Sequence, residues 1–87
     1  MSGASPESLD RLPHHRPAQV TSVAWDQLTP GEARRLREFG LDDGVEVELL
    51  HQALGHGPLA IRLGRMTLAI RRHVASAIHV SAPAPRA

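Results

Sequence analysis

The chain contains no cysteine, no lysine and no tyrosine. Without cysteine there are no disulfide staples, no thiolate zinc site and no thiol nucleophile. A small chain that does without staples suits the cytosol better than an oxidising compartment. All ten basic residues are arginine, and nine carboxylates nearly cancel them to leave a formal charge of +1. That balance argues against a dedicated nucleic-acid binder, which carries a clear basic excess. Trp25 and Phe39 are the only aromatic residues, so no platform exists on which bases could stack. No apolar run approaches the ~18 residues that would span a bilayer. Met1 to Asp10 holds no apolar stretch and does not read as a secretory signal.

What remains is enough for one small domain. At 87 residues the chain is marginal in size, since a core of ~60 residues removes only about 60% of its unfolded surface from water. Residues 1–8 and 81–87 are polar or Pro/Ala-rich and are expected as disordered tails around a single domain at 9–80. Pro13 and Pro17 punctuate the approach to a first strand, Ala18 to Trp25. Its Val20 and Val23 have opposite parity, which a β-bulge would reconcile. Thr29-Pro30-Gly31-Glu32 is a capping box with proline at the first helical position. It predicts a helix from Pro30 to Phe39, with Ala33, Leu36 and Phe39 inward and Arg34, Arg35, Arg37 and Glu38 in water. Gly40 sits where a left-handed residue ends such a helix.

Asp42-Asp43-Gly44 then reads as a turn, with Gly44 free to take positive φ. Val45 to Leu50 alternates as a half-buried strand, with Glu46 and Glu48 outward. His51 to Gly57 reads as a loop. Leu59 to Ile70 reads as a hairpin closed by a two-residue turn with Gly64 first and Arg65 second. Arg71 to Ser76 fits one short helical turn that places Ala75 inward, and Ala77 to Val80 a last strand. The expected fold is therefore mostly β: a small, partly open, five-stranded antiparallel barrel with one short α-helix and a short helical turn before the last strand.

Chemistry is sparse. There is no nucleophile elbow, no phosphate-binding glycine loop and no HExxH. Asp42, Asp43, Glu46 and Glu48 lie close in sequence, but turn-formers and an exposed strand face make a solvated acidic edge, not a catalytic pair. Of the six histidines, His14, His15, His51 and His56 are the candidates for a weak surface site for a transition metal. Their spacing sets no two of them on one helix face, and ordinary solvated histidines are the competing reading. Arg34, Arg35, Arg37 and Glu38 are the candidates for a partner-binding face, with an ordinary charged surface as the alternative.

Taken in order, RLREFGLDDGVEVELL (Arg35 to Leu50), GPLAIRLGRMTLAIRR (Gly57 to Arg72) and ASAIHV (Ala75 to Val80) resemble the FeoA family, ferrous iron transport protein A. Leu36, Gly40, Leu41 and Gly44 match its helix, Gly-Leu and glycine pattern; Pro58 and Leu59 match its Pro-Leu strand; Leu68 to Arg71 and Ala75 match the segments that follow. Leu12-Pro13 and Ala18-Gln19-Val20 fit its opening segment. His14-His15-Arg16 departs from it, because the family usually has a Pro-Gly turn there. The resemblance implies an SH3-like barrel and a cytoplasmic accessory protein of bacterial ferrous iron uptake. It implies no enzyme activity and no required cofactor. The implied partner is FeoB, the membrane permease with a cytoplasmic GTP-hydrolysing domain, which would hold the protein at the inner membrane. A metal-binding carrier or sensor built on the histidines, with metal-bridged homodimers, is the alternative.

Overall fold

The computed structural model describes residues 7–53, 55 and 57–81. Six strands and two helices follow in the order β1 (Glu7–Ser8), β2 (Ala18–Val23), α1 (Pro30–Glu38), β3 (Glu46–Gln52), β4 (Leu59–Leu63), β5 (Met66–Ile70), α2 (Arg72–Ser76) and β6 (Ile78–Val80). Single 3-10 turns occupy Leu9–Arg11 and Trp25–Gln27. All pairings are antiparallel and the strand order is β1-β6-β2-β3-β4-β5. The mostly-β expectation holds with one strand more than the five counted from sequence. Among the described residues β1 and β5 do not pair, so the sheet curls without closing into a barrel.

The additional strand lies inside the segment expected to be a tail. Glu7 stands opposite Val80 and Ser8 opposite His79. At the other end the Ser81 N–H donates to the Gln19 carbonyl at 2.8 Å. The ordered body thus begins two residues before Leu9 and includes Ser81. The rest of both expected tails, 1–6 and 82–87, lies outside the described residues.

β2 is shared between the two halves of the sheet. Ala18 and Gln19 stand opposite Val47 and Glu46 of β3, whereas Val20, Ser22 and Val23 stand opposite Val80, His79 and Ile78 of β6. Thr21 has no opposite number. This is the bulge that the clashing parity of Val20 and Val23 demanded, and it lets both approach the core. Trp25, expected at the end of this strand, instead opens the 3-10 turn that follows it. A second register shift, at Leu50, carries β3 on to His51 and Gln52, which the sequence reads as part of a loop. Gln52 then bridges outward: its amide donates to the Asp10 carbonyl and accepts from Arg72, both at 3.4 Å.

The core is one apolar layer under the curl. Leu9, Val20, Val47, Leu49, Leu59, Ile61, Ile78 and Val80 are almost completely buried. Burial of such a side chain contributes about 1.5–3 kcal/mol. α1 adds Leu36, and its end recruits Leu41. The Leu41 N–H donates to the Leu36 carbonyl and the Gly40 N–H to the Arg37 carbonyl, both at 3.0 Å, with Gly40 at φ +96°. That is a Schellman closure, and it buries Leu41 beside Leu36. Phe39, expected inward, is displaced to the rim and 36% exposed, because Leu41 takes the place it would have filled. The β4–β5 hairpin closes as expected, Leu63 opposite Met66 and Gly64 at φ +61°. Ala75 is fully buried in α2, also as expected.

Two outcomes test this packing. Gly40→Val lowers the free energy of unfolding by more than ~1 kcal/mol, and Gly40→Asn by less, because a β-branched residue is strained at positive φ while asparagine tolerates it. No atom lies within 4 Å of a Cβ at Gly40, so backbone strain alone is measured. Ile61→Ala, deep in β4, costs about 2–5 kcal/mol. Urea unfolding of the variants reads both.

Candidate functional site

The capping box forms as its spacing required. The Thr29 hydroxyl accepts from the Glu32 N–H at 3.1 Å, and the Glu32 carboxylate accepts from the Thr29 N–H at 3.0 Å. The helix so started turns Leu36 inward and leaves Arg34, Arg35, Arg37 and Glu38 exposed. These four do not form one cluster. The Arg37 guanidinium stacks 4.2 Å from the centre of the Trp25 ring, an exposed cation–π contact worth about 0.5–1 kcal/mol. With Gly40, Leu41 and Asp42 this pair lines an open hollow of about 350 Å³. Arg35 points to the other flank, where it lines a groove of about 150 Å³ with Glu32, Leu36, Ala69, Ile70, Arg71 and Val74.

Sequence reasoning missed the contact that joins the two helices. His73 Nε2 lies 2.8 Å from the second oxygen of Glu32. Glu32 is thus at once cap of α1 and partner of α2. Its carboxyl is held below the ordinary range, first by the Thr29 backbone hydrogen bond; desolvation is the next largest effect and opposes it, and the His73 hydrogen bond and charge add to the lowering. The capping spacing located Glu32; nothing local in sequence pointed to His73, which lies 41 residues away.

The histidines singled out for metal are partly placed. His14 and His15 sit edge to face with centroids 6.4 Å apart. His15 adopts φ +63° and its N–H donates to the Leu49 carbonyl at 2.8 Å, which holds the turn against β3. This left-handed residue stands in the segment where a Pro-Gly turn was missing. His15 Nδ1 is 3.9 Å from Glu48, whose other oxygen accepts from Arg62 at 3.0 Å across the β3–β4 pair. The shift at Leu50 returns His51 to the sheet face that carries Glu48 and Arg62, since its opposite number is Ala60. His56 lies outside the described residues. Among the described residues no group of three or more His, Cys, Asp or Glu is assembled to hold a metal. Asp42 accepts from the Asp43 N–H in the turn and Glu46 is exposed, as read from sequence, whereas Glu48, expected on a solvated face, is only 12% exposed because Arg62 pairs with it across the β3–β4 ladder. No helix among the described residues is long and apolar enough to cross a membrane.

The family model for the FeoA domain matches residues 7–82. The chain is similar to the FeoA protein of Chlorobium tepidum, with 34% identity over 84% of this chain and 67% of that one and a TM-score of 0.73. It is equally similar to the zinc-complexed FeoA of Stenotrophomonas maltophilia, with 34% identity over 90% and 91% of the two chains and a TM-score of 0.70. That protein is described as a prokaryotic SH3-domain protein and a candidate ferrous iron transport activating factor. A manganese-dependent transcriptional repressor shares the fold alone, at 15% identity and a TM-score of 0.77, over 94% of this chain and 44% of its own. No curated protein sequence matches the chain.

The Glu32 carboxylate has a testable consequence. A depressed folded-state pKa contributes stability that is present above the unfolded value of 4.5 and is lost as pH falls through the lower folded value. Glu32→Gln keeps the shape of the cap without the charge. The stability gap between wild type and this variant is expected to be full near about pH 6 and to shrink toward about pH 3. Urea midpoints measured across that range report it, and a gap that does not change with pH contradicts the assignment.

Proposed function

The chain belongs to the FeoA family, an accessory family associated with ferrous iron transport and not an enzymatic one, and from that premise we propose that it docks on the cytoplasmic part of the FeoB permease and modulates iron(II) uptake. The observation that carries the reading is the extent of the match, which takes in all six strands and both helices. Docking acts by differential affinity. A partner that cycles between nucleotide states is biased only as far as the module binds one state better than another. On this reading the protein is cytoplasmic, is held at the inner membrane through FeoB and does not itself enter the bilayer.

The surface we assign to the permease is the exposed face of α1. Arg34, Arg35, Arg37 and Glu38 are presented on a helix fixed at both ends, by the capping box and by the Schellman closure. Arg37 is further ordered by Trp25. Ordering before contact lowers the entropy lost on binding.

A second reading is favoured by one contact and one relative. His15 beside Glu48 offers two donors to a transition metal, and the relative from Stenotrophomonas was solved with zinc. On this reading His14, His15, His51 and His56 take up iron(II) or zinc weakly, and one ion shared between two chains would make a homodimer.

Calorimetry against the cytoplasmic domain of FeoB tests the first reading. Binding is expected to differ between nucleotide states and to weaken about tenfold or more when Arg35 and Arg37 are both changed to Glu. No interaction at micromolar concentration in any nucleotide state contradicts it. For the second, the His14/His15/His51/His56 quadruple alanine variant is expected to lose zinc and iron(II) binding, and a titration equal to wild type removes the histidines as ligands.

A further inference from the structure

We propose that the free edge of β5 is a docking site for an acidic, extended polypeptide segment, which it takes up as a further strand of the sheet. This inference does not rest on the identity of the permease partner. β5 pairs with β4 on one side only. The two-residue turn makes Leu63 and Met66 a hydrogen-bonded pair, and antiparallel pairs alternate. Leu68 and Ile70 therefore bond back to Ile61 and Leu59, while the N–H and C=O groups of Thr67 and Ala69 face away from β4. Thr67 and Ala69 are exposed, and no described residue bonds to that side. Proteins blunt such edges with charge, proline or a bulge within the strand. Met-Thr-Leu-Ala-Ile carries none of these.

Charge selects the occupant. Every side-chain carboxylate in the chain lies at or before Glu48, so the segment from β4 to α2 contains arginine and no acid, with its arginines in β4, at the two ends of β5 and in α2. Arg62 is used by Glu48. Arg65 and Arg71, at the two ends of β5, are exposed and have no ion pair among the described residues. Arg72 follows, with its Nε buried and without a partner. Arg35 reaches the same flank from α1 and shares a groove with Ala69, Arg71 and Glu32, the one acid there, whose carboxylate is engaged by the Thr29 N–H and by His73. A segment with acidic residues at alternate positions would satisfy the backbone groups of Thr67 and Ala69 and set its carboxylates toward these guanidiniums. A second copy of this chain fits poorly, because two-fold pairing of β5 with itself is antiparallel and brings Arg65 of one strand against Arg71 of the other. An anionic lipid surface would engage the arginines but leave the strand edge unused.

The test uses the full chain, 15N-labelled, with an end-blocked six-residue peptide of alternating Glu and Val and its Lys-for-Glu analogue. The acidic peptide is expected to shift the amides of Met66 to Arg72 and to slow hydrogen exchange at Thr67 and Ala69. Its affinity should fall about tenfold or more when Arg65 and Arg71 are both changed to Ala, and fall again on raising salt from about 50 to 300 mM. Thr67→Pro, which removes one of the edge donors, should also weaken it, with the dispersed amide spectrum of the variant reporting that it still folds. Four results overturn the proposal: equal binding of the lysine peptide, shifts confined to other surfaces, protection of Thr67 and Ala69 in a peptide-free dimer seen by sedimentation, or shifts at β5 with phosphatidylglycerol vesicles and none with peptide. Undiminished binding of the FeoB domain beside a silent peptide would remove the edge while leaving the docking reading intact.

Discussion

The structure depends on one strand being shared. A chain of this size has to bury a single apolar layer, and a flat antiparallel sheet with one solvated face cannot enclose it. β2 solves this by giving its first two residues to β3 and the remainder to β6, with Thr21 as the extra residue at the change of partner. A bulge adds twist and bend, so the two halves of the sheet fold over the same side chains. The joint is braced along both edges of β2. The Val20 N–H donates to the Val45 carbonyl, the Gly44 N–H to the Val20 carbonyl and the Ser81 N–H to the Gln19 carbonyl. Val20 thereby lies fully buried beside Val47 and Val80, one from each half.

Everything offered to a partner hangs on that frame. The sheet's outer face carries Glu48 and Arg62 as a cross-strand pair, with His15 drawn beside it by its bond to Leu49. α1 crosses the rim with a defined start and stop, and the Glu32–His73 contact ties it to α2. Glu7 to Glu48 holds all the carboxylates, while the hairpin and α2 hold only arginine, so the surface is polarised although the net charge is close to zero. Net charge predicts little about such a molecule; the placement of charge over the fold predicts more.

The legible parts of the fold were those written locally. Thr29 to Glu32 specified a helix start, Gly40 its end, and Gly64 the hairpin, because each needs only three or four neighbouring residues to make its bonds. The parity conflict of Val20 and Val23 even located a bulge. β1 escaped notice because two residues carry no periodicity, and its existence depends on Val80 and His79 far away. The Leu50 shift hid the end of β3, since a bulge breaks the alternation that identifies a strand. Helical spacing points Phe39 inward, a rule that fails where the helix closes and Leu41 is the residue buried. Of the candidate site, exposure of the α1 arginines was readable; the stacking of Arg37 on Trp25 and the bond from His73 to Glu32 were not, because both join segments that only the tertiary fold brings together.

A module that works by presenting surfaces must hold them on one rigid body, and the shared strand is what makes the two halves one. Native-state hydrogen exchange measures this directly. If β2 couples them, the amides of Val20, Val47, Ile61 and Val80 exchange only through global unfolding, with a single opening free energy and a single dependence on urea. Two separate openings, with Val80 released together with β1 and β6 while Val47 and Ile61 stay protected, would contradict the account.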